Sequence, residues 1–154
     1  MPIVHSYGDL LDMQDKVDAL VNPVNCVGVS GAGLAREFAV QFPVNQRHYV
    51  NACRSMRIRP GQVFAAHDYR PNGLSIVIIN FPTKLQWHKP STTKWIEEGL
   101  DSLVGFLRET PEINTLAMPA LGCGLGGLRW PVVKELITTK MNTLPVQTFL
   151  FGPQ

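Results

Sequence analysis

The run Ser75-Ile-Val-Ile-Ile-Asn-Phe81 limits the possible folds more than any other stretch of the chain. It is β-branched and apolar, with no alternation of apolar and polar residues before Asn80. A strand with one solvated face alternates; one that does not alternate must be covered on both faces. Helices above and below it are therefore required.

The rest of the chain supplies them. Further short apolar runs of strand type are Ile3–His5, Ala19–Asn22, Val63–His67, Thr115–Pro119 and Gln147–Phe151. Between them lie stretches of helical period. Leu34, Ala35, Phe38 and Phe42 share a face, and Pro43 ends that run. Tyr49, Ala52, Cys53 and Met56 recur at i, i+3, i+4 and i+7, followed by a turn at Arg59-Pro60-Gly61. Ile96, Leu100, Leu103, Val104 and Leu107 line a helix over Thr92–Arg108, with Ser91 suited to cap it and Trp95 to pack it into the core. A last helix runs from Trp130 to Met141, with Pro131 at its first turn. Strands alternating with helices predict a three-layer α/β domain spanning 1–154, with any ligand beyond the carboxyl ends of the strands.

Composition narrows the function. The 154 residues are 45% hydrophobic and 17% charged, which describes an ordered globule large enough for a core. No apolar run reaches membrane-spanning length, and the N-terminus lacks the pattern of a signal peptide, so a cytoplasmic protein is expected. Three cysteines without a CxxC pair and four scattered histidines predict neither a disulfide framework nor a metal site. The charge is uneven: Phe38–Trp95 holds eight Lys or Arg and one acid, Asp68. That asymmetry fits an anionic partner on one face; from sequence alone, folding that mixes the charges into an ordinary solvated surface is the better reading.

Four stretches carry chemistry. "VNPVNCVGVSGAGLAREF", residues 21–38, is a strand, a glycine loop and a helix, a plan that brings backbone N–H groups and a positive helix end to an anion. "PALGCGLGGLRW", residues 119–130, repeats it. Neither is a Walker A loop or a dinucleotide fingerprint, which disfavours an oxidoreductase. Two such loops at one sheet edge can clamp the two phosphates of a diphosphate. In "INFPTKLQWHKPSTTKW", residues 79–95, Lys84 lies just past the most buried strand, and Trp87, His88 and Lys89 offer stacking and phosphate contact. In "YGDLL", residues 7–11, Asp9 can cap a turn or accept from an exocyclic amine; alone, capping is the better reading.

Together, in this order and spacing, these motifs resemble a macrodomain, the ADP-ribose-binding α/β module. "NCVGVSGAGLA", "NFPTK" and "GCGLGGLRW" are similar to the DarG antitoxin branch, which removes ADP-ribose from DNA bases modified by a DarT toxin. The resemblance implies a mixed, mostly parallel sheet of about six strands, ADP-ribose as ligand rather than any cofactor, and a monomer. It implies that Asp9 reads the adenine, with Leu10 beside it. Ser30, Gly31, Ala32, Gly33 and Leu34 would form one wall, and Leu121, Gly122, Cys123, Gly124, Leu125, Gly126 and Gly127 the other, with Thr83 nearby. Asn25 would orient the distal ribose and Lys84 would act at its anomeric carbon. Trp87, His88 and Lys89 would contact DNA. Protein-deacylating relatives have an aspartate in a run like "CGLDRL"; here Gly126 holds that place, which argues against a Lys/Asp mechanism and for the DNA-directed branch. DarG proteins also carry a further C-terminal region. The expected function is an ADP-ribosyl glycohydrolase for modified DNA with a DarT-like toxin partner. A hydrolase of protein-linked esters or O-acetyl-ADP-ribose, and a non-catalytic ADP-ribose reader, are the alternatives.

Overall fold

The computed structural model describes residues 3–153. The apolar run forms β4 (Ser75–Lys84), three residues longer than the run Ser75–Phe81 and ending on Lys84 itself. β3 (Phe64–Tyr69) pairs antiparallel with it. The connecting turn Arg70–Leu74 closes through Gly73, whose φ of +85° is cheap for glycine. All other pairings are parallel. β1 (Ile3–Ser6), β2 (Ala19–Asn25), β5 (Thr115–Met118) and β6 (Gln147–Phe151) complete a six-stranded sheet in the order β1-β6-β5-β2-β4-β3.

Both faces of the sheet are covered, as the unbroken apolar run requires. On β4, Ile76 and Ile78 face α1 (Gly33–Gln41), packing with Leu20, Phe38 and Phe42. Val77, Ile79 and Phe81 face α3 (Thr93–Arg108) and α4 (Trp130–Met141), among Ile96, Leu100, Val133 and Ile137. Gly99 lets α3 lie close: a Cβ there would stand 2.4 Å from the Phe81 ring.

The remaining helix, α2 (Pro43–Arg54), packs Tyr49 and Ala52 against Val24 and Ile58, and polar contacts hold its start. Phe42 offers its N-terminus no side-chain cap, so Asp68 of β3 supplies one, Oδ2 accepting from Asn45 N–H at 2.8 Å. That buried role takes the one acid of the basic segment out of the surface balance. Beside it, Asn80 Oδ1 accepts from Asn22 and Asn45 amides, both at 3.1 Å, and its own amide donates to Asn45 and to the Phe64 carbonyl.

Four local expectations are corrected. Thr92, not Ser91, caps α3, its hydroxyl accepting from Trp95 N–H at 3.2 Å. Trp95 is only half-buried and joins no core cluster. Lys84 closes β4 rather than following it. Met56 leaves the buried face because α2 stops at Arg54. Met56 adopts φ +58° and is 81% exposed, while Arg57 N–H bonds the Ala52 carbonyl and Met56 N–H that of Cys53, a Schellman stop.

Candidate functional site: a two-loop cleft

Five parallel strands present their carboxyl ends along one sheet edge, in the order β1, β6, β5, β2, β4. The loops that follow them enclose a cleft of about 830 Å³, within the usual range for ligand sites. Strand order sets its polarity. Asp9, Leu10, Phe151, Gly152 and Pro153 form one end; Lys84 and Trp87 form the other; the two glycine loops stand between them.

Asn25 builds the first loop. Its Oδ1 accepts from the N–H groups of Val27, Gly28 and Val29 at 3.1–3.3 Å, and its amide donates to the Val29 carbonyl at 2.7 Å. The Tyr49 hydroxyl, kept protonated by its burial, reaches both Asn25 carbonyl oxygens at 2.8 and 2.9 Å. Oδ1 is thus committed to the loop, which leaves one amide hydrogen for a ligand. Beyond Gly31, Ala32 gives α1 no side-chain cap, so the first-turn N–H groups of Gly33, Leu34 and Ala35 lack partners among the described residues. An uncapped helix start facing a cleft is an anion site.

The second loop turns at Gly122 (φ +73°) and Gly127 (φ +77°). Leu128 N–H bonds the Gly122 carbonyl, and Ser91 N–H bonds that of Gly126. Among the described residues the N–H groups of Gly124, Leu125 and Gly126 have no partner, so this wall too offers donors. A Cβ on Gly126 would lie 2.5 Å from both the Gly122 carbonyl oxygen and Ser91 Oγ. A side chain at position 126 could enter only by displacing the Gly122 carbonyl.

At the far end the half-buried Lys84 donates from Nζ to the Trp87 carbonyl at 3.2 Å. Among the described residues no carboxylate lies within ion-pair distance of it. Burial lowers its pKa below the ordinary lysine value, raising the fraction of neutral amine. Burial pushes the thiols of Cys26 and Cys123 the other way, up to about 11, so neither is a ready thiolate nucleophile at neutral pH. Among the described residues no group of three or more His, Cys, Asp or Glu is placed to hold a metal ion.

Most of the expected site residues converge. Asp9, Leu10, Asn25, Gly31–Leu34, Thr83, Lys84, Gly122–Gly126 and also Trp87 line the cleft. Asp9 caps the short turn Leu10–Met13, Oδ1 accepting from Leu11 N–H at 3.0 Å. Ser30 instead pairs with Gln46 on α2, Leu121 is buried in the core, and Gly127, outside the cleft lining, donates its N–H to the Gly124 carbonyl. His88 and Lys89 are exposed outside the cleft, His88 edge-on to Trp87. Arg70 is withdrawn from the basic surface: its guanidinium donates to the carbonyls of Gln14, Val17 and Ser75. Reasoning from sequence missed Phe151, Gly152, Pro153 and Glu37. The strand-end rule, applied to β6, would have found Phe151 and its two followers.

A doubly covered, mostly parallel sheet with two donor-lined loops at its carboxyl edge defines an α/β module with a cleft suited to an anion. The chain belongs to the macrodomain family, whose Macro domain pattern matches residues 21–137. It is 41% identical over 147 residues to the DNA ADP-ribosyl glycohydrolase of Thermus aquaticus, a match covering 95% of this chain and 40% of that protein. The chain thus spans well under half of that curated relative. The macrodomain of Mycobacterium tuberculosis DarG superposes with a TM-score of 0.92 at 37% identity, covering 99% of this chain and 98% of that one. Thermosipho africanus DarTG in complex with ADP-ribose superposes at 0.84 with 31% identity, covering 97% of this chain and 41% of that one.

Proposed function

We propose that this chain is an ADP-ribosyl glycohydrolase that removes ADP-ribose from modified DNA bases, paired with a DarT-like toxin. The observation that carries the reading is the lone Lys84 at one end of a two-loop cleft whose position 126 admits a carboxylate only by displacing the Gly122 carbonyl. The adenosine lies toward Asp9 and Phe151, the diphosphate between the uncapped α1 start and the Gly124–Gly126 amides, and the distal ribose against Lys84. The loops supply the binding energy that holds the anomeric carbon within reach of the amine.

Net, water adds across the glycosidic bond. Neutral Lys84 Nζ attacks the anomeric carbon as the carbon–nitrogen bond to the base breaks, its electron pair leaving with the base, which takes up a proton. Water then displaces the lysine, which returns to its free form. The leaving base rests on exposed apolar groups that line the cleft: Trp87 beside Lys84, and Leu125 and Val29 on the two loops. Aromatic and aliphatic surface of this kind suits a nucleobase better than an acidic peptide. Trp87, His88 and Lys89 hold the flanking DNA.

The test is release of ADP-ribose from an ADP-ribosylated oligonucleotide, beside a Glu-linked ADP-ribosyl peptide. Turnover of the oligonucleotide, lost in Lys84→Ala while ADP-ribose binding persists, is expected. Full turnover by Lys84→Ala would remove the lysine from the mechanism; exclusive turnover of the peptide would overturn the substrate; binding without turnover would leave a reader.

A further inference from the structure

Ser91 sits behind the second glycine loop and has no function in the site as described so far. Its N–H donates to the Gly126 carbonyl at 3.0 Å. Its Cβ packs under Gly122, 3.2 Å from where a Cβ on that glycine would stand. Its hydroxyl fills the space beside Gly126, 2.5 Å from the point a Cβ would take, and the Gly122 carbonyl oxygen flanks the same point at 2.5 Å. The residue is 6% exposed, yet its Oγ has no hydrogen-bond partner. A buried hydroxyl left unbonded is costly, and in a native protein it asks for a reason.

The acceptor stands beside it. The Gly122 carbonyl accepts from Leu128 N–H at 2.9 Å, which leaves a second lone pair. Rigid hydrogen bonds hold the loop at Gly122–Leu128 and at Gly126–Ser91, while Gly124 has open space around it. Drawing the free amides of Gly124–Gly126 onto an anion is therefore a small motion, pivoting next to the Ser91 hydroxyl.

We infer that Ser91 is a positioning residue for the ligand's diphosphate: its hydroxyl takes up the Gly122 carbonyl when the second loop closes. A bond that the Ser91 hydroxyl lacks here would then form on closure, and so would favour the closed loop. Ser91 lies on the same segment as Lys84 and Trp87, so the bond also ties the closed loop to the strand end that carries the amine. This inference rests on the reading of the ligand as ADP-ribose.

ADP-ribose and AMP are titrated by calorimetry into the full chain, wild type and Ser91→Ala, and melting is followed with and without each ligand. Ser91→Ala keeps or raises the ligand-free Tm, because the hydroxyl has no bond to lose. Its Kd for ADP-ribose rises about fivefold, the effect of one hydrogen bond, and the Tm increment on ADP-ribose shrinks. AMP, with one phosphate and no distal ribose, binds both proteins alike. An unchanged Kd for ADP-ribose overturns the proposal. So does a fall in ligand-free Tm that accounts for the weaker binding, or an equal loss for AMP. Failure of the wild type to bind ADP-ribose would instead overturn the parent reading of the site.

Discussion

Replacing Gly126 by Asp tests whether the missing carboxylate is a matter of space. The new Cβ would meet the Gly122 carbonyl oxygen and Ser91 Oγ, each at 2.5 Å. Ordinary contact requires each to retreat by roughly 1 Å. The serine hydroxyl can rotate. The Gly122 carbonyl cannot easily do so: it is bonded to Leu128 N–H, and a Cβ on Gly122 would already meet the Leu128 side chain at 2.8 Å. Overpacking at such a site costs about 1–3 kcal/mol. For a domain of this size that lowers Tm by about 2–4 °C per kcal/mol. Taking about 2 kcal/mol, thermal denaturation shows a fall of about 4–8 °C. A loop displaced by roughly 1 Å also misplaces its free amides, so the Kd for ADP-ribose rises about tenfold. Adding Ser91→Ala removes one of the two clashes and restores part of the loss, never all of it, because the carbonyl clash remains. A Gly126→Asp protein with the wild-type Tm and affinity would refute the steric argument.

Further expectations concern Lys84, Trp87 and Met56. If the neutral Lys84 amine attacks, kcat rises with pH through a pKa below the ordinary lysine value; a flat single-turnover pH profile would exclude the role. The sign for stability follows from the same shift. The folded pKa is depressed, so an unfavourable contribution is present below it and disappears as pH rises toward the unfolded value near 10.5; denaturation midpoints across that window read it. Trp87→Ala should lower turnover of modified oligonucleotide about tenfold while ADP-ribose affinity moves little, since the exposed ring stands at the base end; equal losses in both would place the ring on the ligand instead. Met56→Gly should stabilise by about 1 kcal/mol in urea melts, because a left-handed residue at an exposed helix stop suits glycine.

The layers and the cleft edge were legible in the sequence because local patterns set them. β-branched runs gave the strands, 3.6-residue spacing the helices, and the two strand–glycine–helix units the clamp. What escaped depends on partners distant in sequence. Nothing near Phe42 shows that Asp68 will cap α2 from another strand. That Tyr49, twenty-four residues on, braces Asn25 through both of its carbonyl oxygens is likewise invisible in the local pattern. Ser91 reads as a helix cap because serine before an amphipathic run usually is one; only the folded chain shows it beneath Gly122 and Gly126. The apolar run predicts that β2 stops at Asn22, before Pro23. It continues because β5 pairs with it only at Ala19 and Leu20, and a strand with one remaining neighbour tolerates a proline.

The Asn22–Asn80–Asn45 contact bears on how the chain finds its alignment. A one-residue slip of β4 would carry Asn80 to the opposite face of the sheet, away from Asn22 and Asn45. A two-residue slip would preserve the faces, and the similar residues Ile76, Val77, Ile78 and Ile79 would hardly distinguish it by size. Asn80 would distinguish it. Moved by two places, its amide would lose Asn22, Asn45 and the Phe64 carbonyl together and lie against hydrocarbon. One polar side chain thus indexes an otherwise degenerate strand, and so sets where Lys84 comes to rest at the mouth of the cleft.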